Sequence, residues 1–134
     1  MTAPETPTPS ARTWMVELPA GMKLLNANRR IHYMRRAELT RTIRTAAWAA
    51  VRNACVPNLW RVHVIVEYRP PDRRRRDVHN LFPSAKAAVD GGLVDTGVLP
   101  DDSDRHLVGP DMRVGEVEKG GRLVLHITEL EAAR

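Results

Sequence analysis

Apolar residues recur along the chain with two different periods. From Arg61 to Tyr68 they alternate: Val62, Val64, Val66 and Tyr68 take one face, His63 and Glu67 the other, with Ile65 among them. A two-residue period is that of a half-buried strand, and Pro70-Pro71 stops it. From Arg35 to Ala54 the period lengthens. Leu39, Ile43, Ala47, Ala50 and Ala54 form a stripe at helical spacing, closed by Pro57 and Asn58. Small alanines on that stripe allow close packing against a sheet. Ahead of the helix, Trp14 to Leu18 reads as a short strand stopped by Pro19, and Gly21 to Tyr33 as a loop. A second helix is predicted from Pro83, a residue suited to a first turn. It runs through Lys86 and Asp90 towards Leu93, weakened by Gly91-Gly92. Gly97 to Asp104 is an acidic loop. Arg113 to Glu118 and Arg122 to Leu130 then flank Lys119-Gly120-Gly121, with Leu123, Leu125 and Ile127 on one face, which predicts a hairpin.

Strand, helix, strand, helix, strand, strand predicts one α/β (α+β) domain over residues 13–131. Its mixed β-sheet carries two helices and ends in a C-terminal β-hairpin. Met1 to Arg12 is rich in Pro and Thr and reads as a disordered leader.

Composition narrows this further. A chain of 134 residues is long enough for a single core, and aromatics at 4% leave that core to Val, Leu, Ile and Ala. The one cysteine, Cys55, excludes an intrachain disulfide and a thiolate zinc site. Its place at the end of an Ala-rich helix reads as a buried small apolar residue. With no signal-peptide pattern, and no apolar run near the roughly 20 residues of a membrane span, the expectation is a cytoplasmic protein without a membrane partner. The formal charge of +5 points to a polyanion, nucleic acid first and an anionic membrane surface second. Arginine carries most of it, in pairs at Arg29-Arg30 and Arg35-Arg36 and in the run Arg73-Arg74-Arg75-Arg76. Its planar fork suits phosphate. Arg36, Arg41, Arg44 and Arg52 lie mostly off the apolar stripe of the first helix, as either a solvated face or a phosphate-contacting one.

The candidate chemistry begins directly after the arginine run, at Asp77-Val78-His79-Asn80. A carboxylate in a phosphate-binding groove repels its ligand unless a cation neutralises it. A divalent metal reverses that repulsion and can also activate water. Asp77 is thus either a metal ligand or a turn cap paired with an arginine. The second cluster, Asp101-Asp102-Ser103-Asp104, is either a hard-cation site or a solvated turn. Between them Lys86 shares a helix face with Asp90, four residues on. It is suited either to holding a phosphate or to an exposed ion pair. His79 is either an imidazole ligand or a turn residue.

The order of these features resembles the RusA family of Holliday-junction endonucleases, whose motif is a basic stretch, Asp-x-Asp-Asn, a helical Lys and an Asp-Asp pair. The matching residues here are Asp77-Val78-His79-Asn80, Lys86 and Asp101-Asp102. Lys119-Gly120-Gly121-Arg122-Leu123 is similar to the family's final hairpin, and Leu25-Asn26-Ala27-Asn28 to its N-terminal Asn loop. The similarity spans about Trp14 to Leu130. It implies a homodimer that cuts four-way DNA junctions with Mg²⁺ or Mn²⁺. Asp77, Lys86 and Asp102 would be catalytic, and Asp77, Asp102, His79 and Asp101 would lie at the metal. Arg73, Arg74, Arg75, Arg76, Asn80, Asn28 and Arg30 would lie along the DNA. Lys86 stands farther from Asn80 than the family's lysine does. His79 occupies the place of the family's second Asp, which removes a negative charge and favours Mn²⁺ over Mg²⁺. Asp90 or Asp101 could supply the missing oxygen. Two other readings compete: a DNA-binding module without nuclease activity, and an interaction protein with an incidentally basic surface.

Overall fold

The computed structural model describes residues 11–131. The leader expected over Met1 to Arg12 falls, up to Ser10, outside the described residues. Arg12 itself is engaged. Its guanidinium donates two 2.9 Å hydrogen bonds to the Glu129 carboxylate, and its carbonyl accepts from Glu129 N. The packed domain therefore begins ahead of residue 13.

Strand β1 is Thr13–Glu17, helix α1 Tyr33–Asn53, strand β2 Arg61–Arg69, helix α2 Phe82–Val89, strand β3 Leu107–Val114 and strand β4 Arg122–Glu131. A 3₁₀ turn, Val78–Leu81, leads into α2, and a π turn, Asp90–Asp95, extends from its end. The strands form one mixed sheet in the order β1-β4-β2-β3. β2 is parallel to β3 and antiparallel to β4, and β4 is antiparallel to β1.

This order corrects the predicted C-terminal hairpin: β3 and β4 lie on opposite sides of β2. Two features dictate it. Pro110 has no N–H to donate and so belongs on an edge strand, and β3, with Gly109, Asp111 and Arg113 exposed, is that edge. β4 instead buries Leu123, Val124, Leu125 and Ile127 completely or nearly so, which suits a strand hydrogen-bonded on both sides. The link from β3 to β4 passes the end of β2, with Gly115 N donating to Tyr68 O at 2.8 Å and Glu118 N to Pro70 O at 2.9 Å. Gly120 and Gly121, at φ 85° and 70°, do reverse the chain. They do so against Gly21, whose N–H donates to the carbonyls of both.

The core combines Val62, Val64 and Val66 of β2 and Leu125 and Ile127 of β4 with Ile43, Ala47 and Val51 of α1 and Ala85, Ala88 and Val89 of α2. Each fully buried Val, Leu or Ile contributes about 1.5–3 kcal/mol. The other sheet face is polar. Glu67 accepts from His126 Nε2 at 2.6 Å and Arg69 Nε at 3.1 Å, and His63 Nε2 lies 2.5 Å from Asp111 Oδ2. Cys55 departs from expectation. It is exposed, not buried, and its φ of 55° sets it in the left-handed conformation just past the end of α1.

The helices meet unusually closely. A Cβ on Gly91 would overlap the Arg44 carbonyl, so the backbone of the π turn lies directly on that of α1. Gly92 packs beside Val51, Ala47 and Leu125. Glycine at both positions permits this approach, which fixes the end of α2 relative to α1.

Candidate functional site

Lys86 projects from the last turn of α2 and holds two carboxylates. Its Nζ donates to Asp90 Oδ1 at 2.8 Å and to Asp102 Oδ2 at 2.5 Å. The first contact follows from helical spacing. The second spans sixteen residues and depends on how the acidic loop is anchored. Past Asp102, the N–H groups of His106 and Leu107 both donate to Ser103 O. The buried His106 ring sets Nδ1 2.8 Å from Trp60 O and meets the Trp60 ring edge-on, with centroids 4.5 Å apart. The loop is thereby tied to the start of β2.

Burial alone would lower the pKa of the Lys86 ammonium, but its hydrogen bonds to Asp102 and Asp90 outweigh burial and raise it. The same hydrogen bond from Lys86 holds the Asp102 carboxyl below its ordinary value. The sign of the linkage follows. What the depressed Asp102 contributes is present above the ordinary carboxylate range and is lost as pH falls through its lowered pKa. What the raised Lys86 contributes is present below the ordinary ammonium range and is lost as pH rises through its raised pKa. Lys86 and Asp102 are both ionised between those limits.

Asp101 and Asp77 have local roles. Asp101 Oδ1 accepts from Ser103 N at 2.8 Å, an Asx turn that shapes the acidic loop. Contacts with Ser103 hold the Asp101 carboxyl low. Asp77 caps the 3₁₀ turn by accepting from His79 N at 3.0 Å, and His79 Nδ1 stands 3.4 Å from Asp77 Oδ1. Among the described residues no hydrogen bond or ion pair joins Asp77, His79 or Asp101 to Lys86, and no three His, Cys, Asp or Glu side chains gather into a group able to hold an ion. The carboxylates brought together are Asp90 and Asp102, so of the two candidates for an additional oxygen it is Asp90, not Asp101, that reaches Lys86.

The arginine run divides in the same way. Arg76 folds back, donating to the carbonyls of Asp72 and Arg74 and pairing with the Asp72 carboxylate at 2.7 Å. Asp72 is held low, first by the Arg74 N–H and then by Arg76. Arg73, Arg74 and Arg75 are exposed, and among the described residues their guanidiniums have no ion-pair partner. Arg74 and Arg76 line a cleft of about 430 Å³ with Asn26, Arg29, Tyr68 and the Gly120-Gly121 turn.

Two anchors that the sequence did not reveal bring the Asn loop to this cleft. The fully buried Ser84 hydroxyl accepts from Leu25 N at 2.6 Å and donates to Leu25 O at 2.8 Å. Ala27 N donates to Asn80 O at 2.7 Å. Asn28 forms its own turn, its N–H donating to Asn26 Oδ1 at 2.8 Å, and Arg30 is exposed outside the cleft lining. Asn26 and Arg29, rather than Asn28 and Arg30, therefore face the arginines. The only available signal was the proximity of Arg29 to the Asn pair.

No protein-family model matches the chain, and no curated protein resembles it closely enough to be counted a relative. Among the described residues, no helix is long and apolar enough to cross a membrane.

Proposed function

We propose that this protein is a metal-dependent endonuclease for branched DNA, with four-way junctions as the preferred substrate. The observation that carries the reading is Lys86 held between Asp90 and Asp102 on a chain whose exposed arginines precede Asp77. An ammonium bracketed by two carboxylates combines a group that can neutralise a phosphate oxygen with groups that can hold a hard cation. Mg²⁺ commonly takes only one or two protein carboxylates and fills its shell from water and substrate phosphate, so the donor chemistry of Asp102 and Asp90 fits such an ion arriving with DNA, with Asp77, outside that cluster, as a further candidate ligand. A bound Mg²⁺ or Mn²⁺ would supply Lewis-acid activation of water and of a phosphate oxygen.

The remaining roles belong to the chain. Lys86 Nζ faces the charge that develops on the phosphate. Arg29 and Arg74 hold the DNA backbone from the cleft, with the exposed Arg73 and Arg75 beside Arg74 in the chain, and Asn80 stands in the turn that leads into α2. Two copies acting together would match the two-fold symmetry of a junction.

The test is cleavage of a synthetic four-way junction beside a linear duplex, in Mg²⁺ and in Mn²⁺. The junction alone should be cut. Asp102→Asn and Asp77→Asn should each lower the rate at least on the order of 10²-fold while junction affinity is kept. The same rate from Asp102→Asn as from the parent refutes the assignment. A second reading, junction binding without cleavage, is favoured by the separation of Asp77 from the Lys86 cluster. It predicts binding without product in either metal.

A further inference from the structure

A second concavity lies away from the arginine cleft. It is a groove of about 670 Å³ along the outer face of α1, lined by Tyr33, Arg36, Arg41, Arg44 and Trp48 and closed by Asp95. Two kinds of side chain meet there. Tyr33 is 75% exposed and Trp48 41%, with Met34, at 63%, beside the groove. Large exposed aromatics on one helix face are not explained by the core, which α1 serves through Ile43, Ala47 and Val51. Arg36 and Arg41 have no ion-pair partner among the described residues, whereas Arg44 is locked to Asp95 by hydrogen bonds of 2.9 and 2.6 Å. The Arg52 guanidinium lies over the Trp48 ring, 5.1 Å from its centroid.

We infer that this groove binds single-stranded DNA, with bases stacked on Trp48 and Tyr33 and phosphates held by Arg36 and Arg41. Charge selects the occupant. Among the described residues the one carboxylate lining the groove, Asp95, is already paired with Arg44, so a second copy laid on this face would set arginine against arginine, while a polyanion finds free guanidiniums. Aromatic faces interleaved with cations are the arrangement that takes unpaired bases without regard to sequence. Tyr33 and Trp48 stand about 22 Å apart along the helix at 1.5 Å per residue, room for several nucleotides.

The groove is joined to the proposed cleavage site through the chain. The backbone of Arg44, which lines the groove, lies directly against Gly91, the residue after Asp90, and Asp90 is bonded to Lys86. A strand unpaired at a branch point could therefore pass from Lys86 along α1. This inference extends the reading of the chain as a DNA-handling protein, but it needs no cleavage to be tested.

The experiment uses the full chain in EDTA and a labelled oligothymidylate of about twelve nucleotides, with affinity read by fluorescence anisotropy. Binding should quench tryptophan emission. Trp48→Ala should weaken affinity roughly tenfold and Arg36→Glu with Arg41→Glu by a similar or larger factor, while Trp48→Phe should keep most of the affinity and lose most of the quenching. Circular dichroism melts confirm that each variant is folded.

The inference fails if the parent ignores the oligonucleotide, or if the variants bind as the parent does. It fails equally if Trp48→Ala leaves DNA affinity intact but changes the sedimentation coefficient, which would assign the face to a second copy. Junction cleavage without oligothymidylate binding removes the groove alone. Binding without cleavage in any metal removes the nuclease reading alone.

Discussion

His79 stands next to the Asp77 carboxylate, with its own side chain well exposed. An imidazole offers a ligand of intermediate softness, which Mn²⁺ accepts more readily than Mg²⁺ does, whereas a carboxylate at the same position supplies the hard oxygen and negative charge that Mg²⁺ prefers. His79→Asp should therefore move junction cleavage towards Mg²⁺. The check is the ratio of rates in the two metals, and an unchanged ratio removes His79 from the metal's surroundings. At this scale the sequence is legible where partners are close along the chain. Lys86 and Asp90 share a helix face by spacing alone, and Asp77 is recognisable as a turn cap. Ser84 is not legible, because a lone serine in the first turn of α2 carries no mark of a partner fifty-nine residues away. Cys55 is misread for a related reason. Helical periodicity predicts a buried face, but the chain leaves the helix at that residue in a left-handed conformation.

Elements were legible in kind but not in neighbourhood. The two-residue period fixes which face of β2 is buried, and the helical stripe fixes α1, because both depend on local geometry. Strand order depends on which edges can accept a partner. The decisive residue, Pro110, stands in a segment with too little alternation to be read as a strand. The contact between α1 and the π turn lends itself to a direct test. Gly91→Ala forces a methyl group into the Arg44 backbone, and overpacking of this kind costs about 1–3 kcal/mol. Thermal melting should show a lowered Tm, and an unchanged Tm would mean that the helices separate without penalty. The wide turn is also what ends α2 beside Arg44, so the variant should disturb the Lys86–Asp90 pair before it disturbs the sheet.

At the scale of the whole molecule, the basic charge is divided between a cleft and a groove. Arg73 and Arg75 are unpaired among the described residues, whereas Arg76 is engaged in its own turn. Arg73→Ala with Arg75→Ala should therefore weaken junction binding and reduce the slope of log K against log salt by about 2. Arg76→Ala should change that slope little and lower the Tm instead. Equal effects from both would mean that the run acts as a uniform basic tail. Sequence order alone cannot separate these residues, because four consecutive arginines look alike until the turn at Asp72 sets their directions.

The bracketing of Lys86 also bears on the order in which charged species can arrive. A bare pair of carboxylates repels a phosphodiester strongly, so a metal must enter first or the nucleic acid stays away. Here the ammonium already cancels one of the two charges on Asp90 and Asp102, and a polyanion meets a weaker electrostatic barrier before any ion has bound. In the proposed nuclease, this built-in counterion would remove the need for a fixed sequence of loading: nucleic acid would dock on the metal-free protein and bring its own ion, held by its phosphates, into the site.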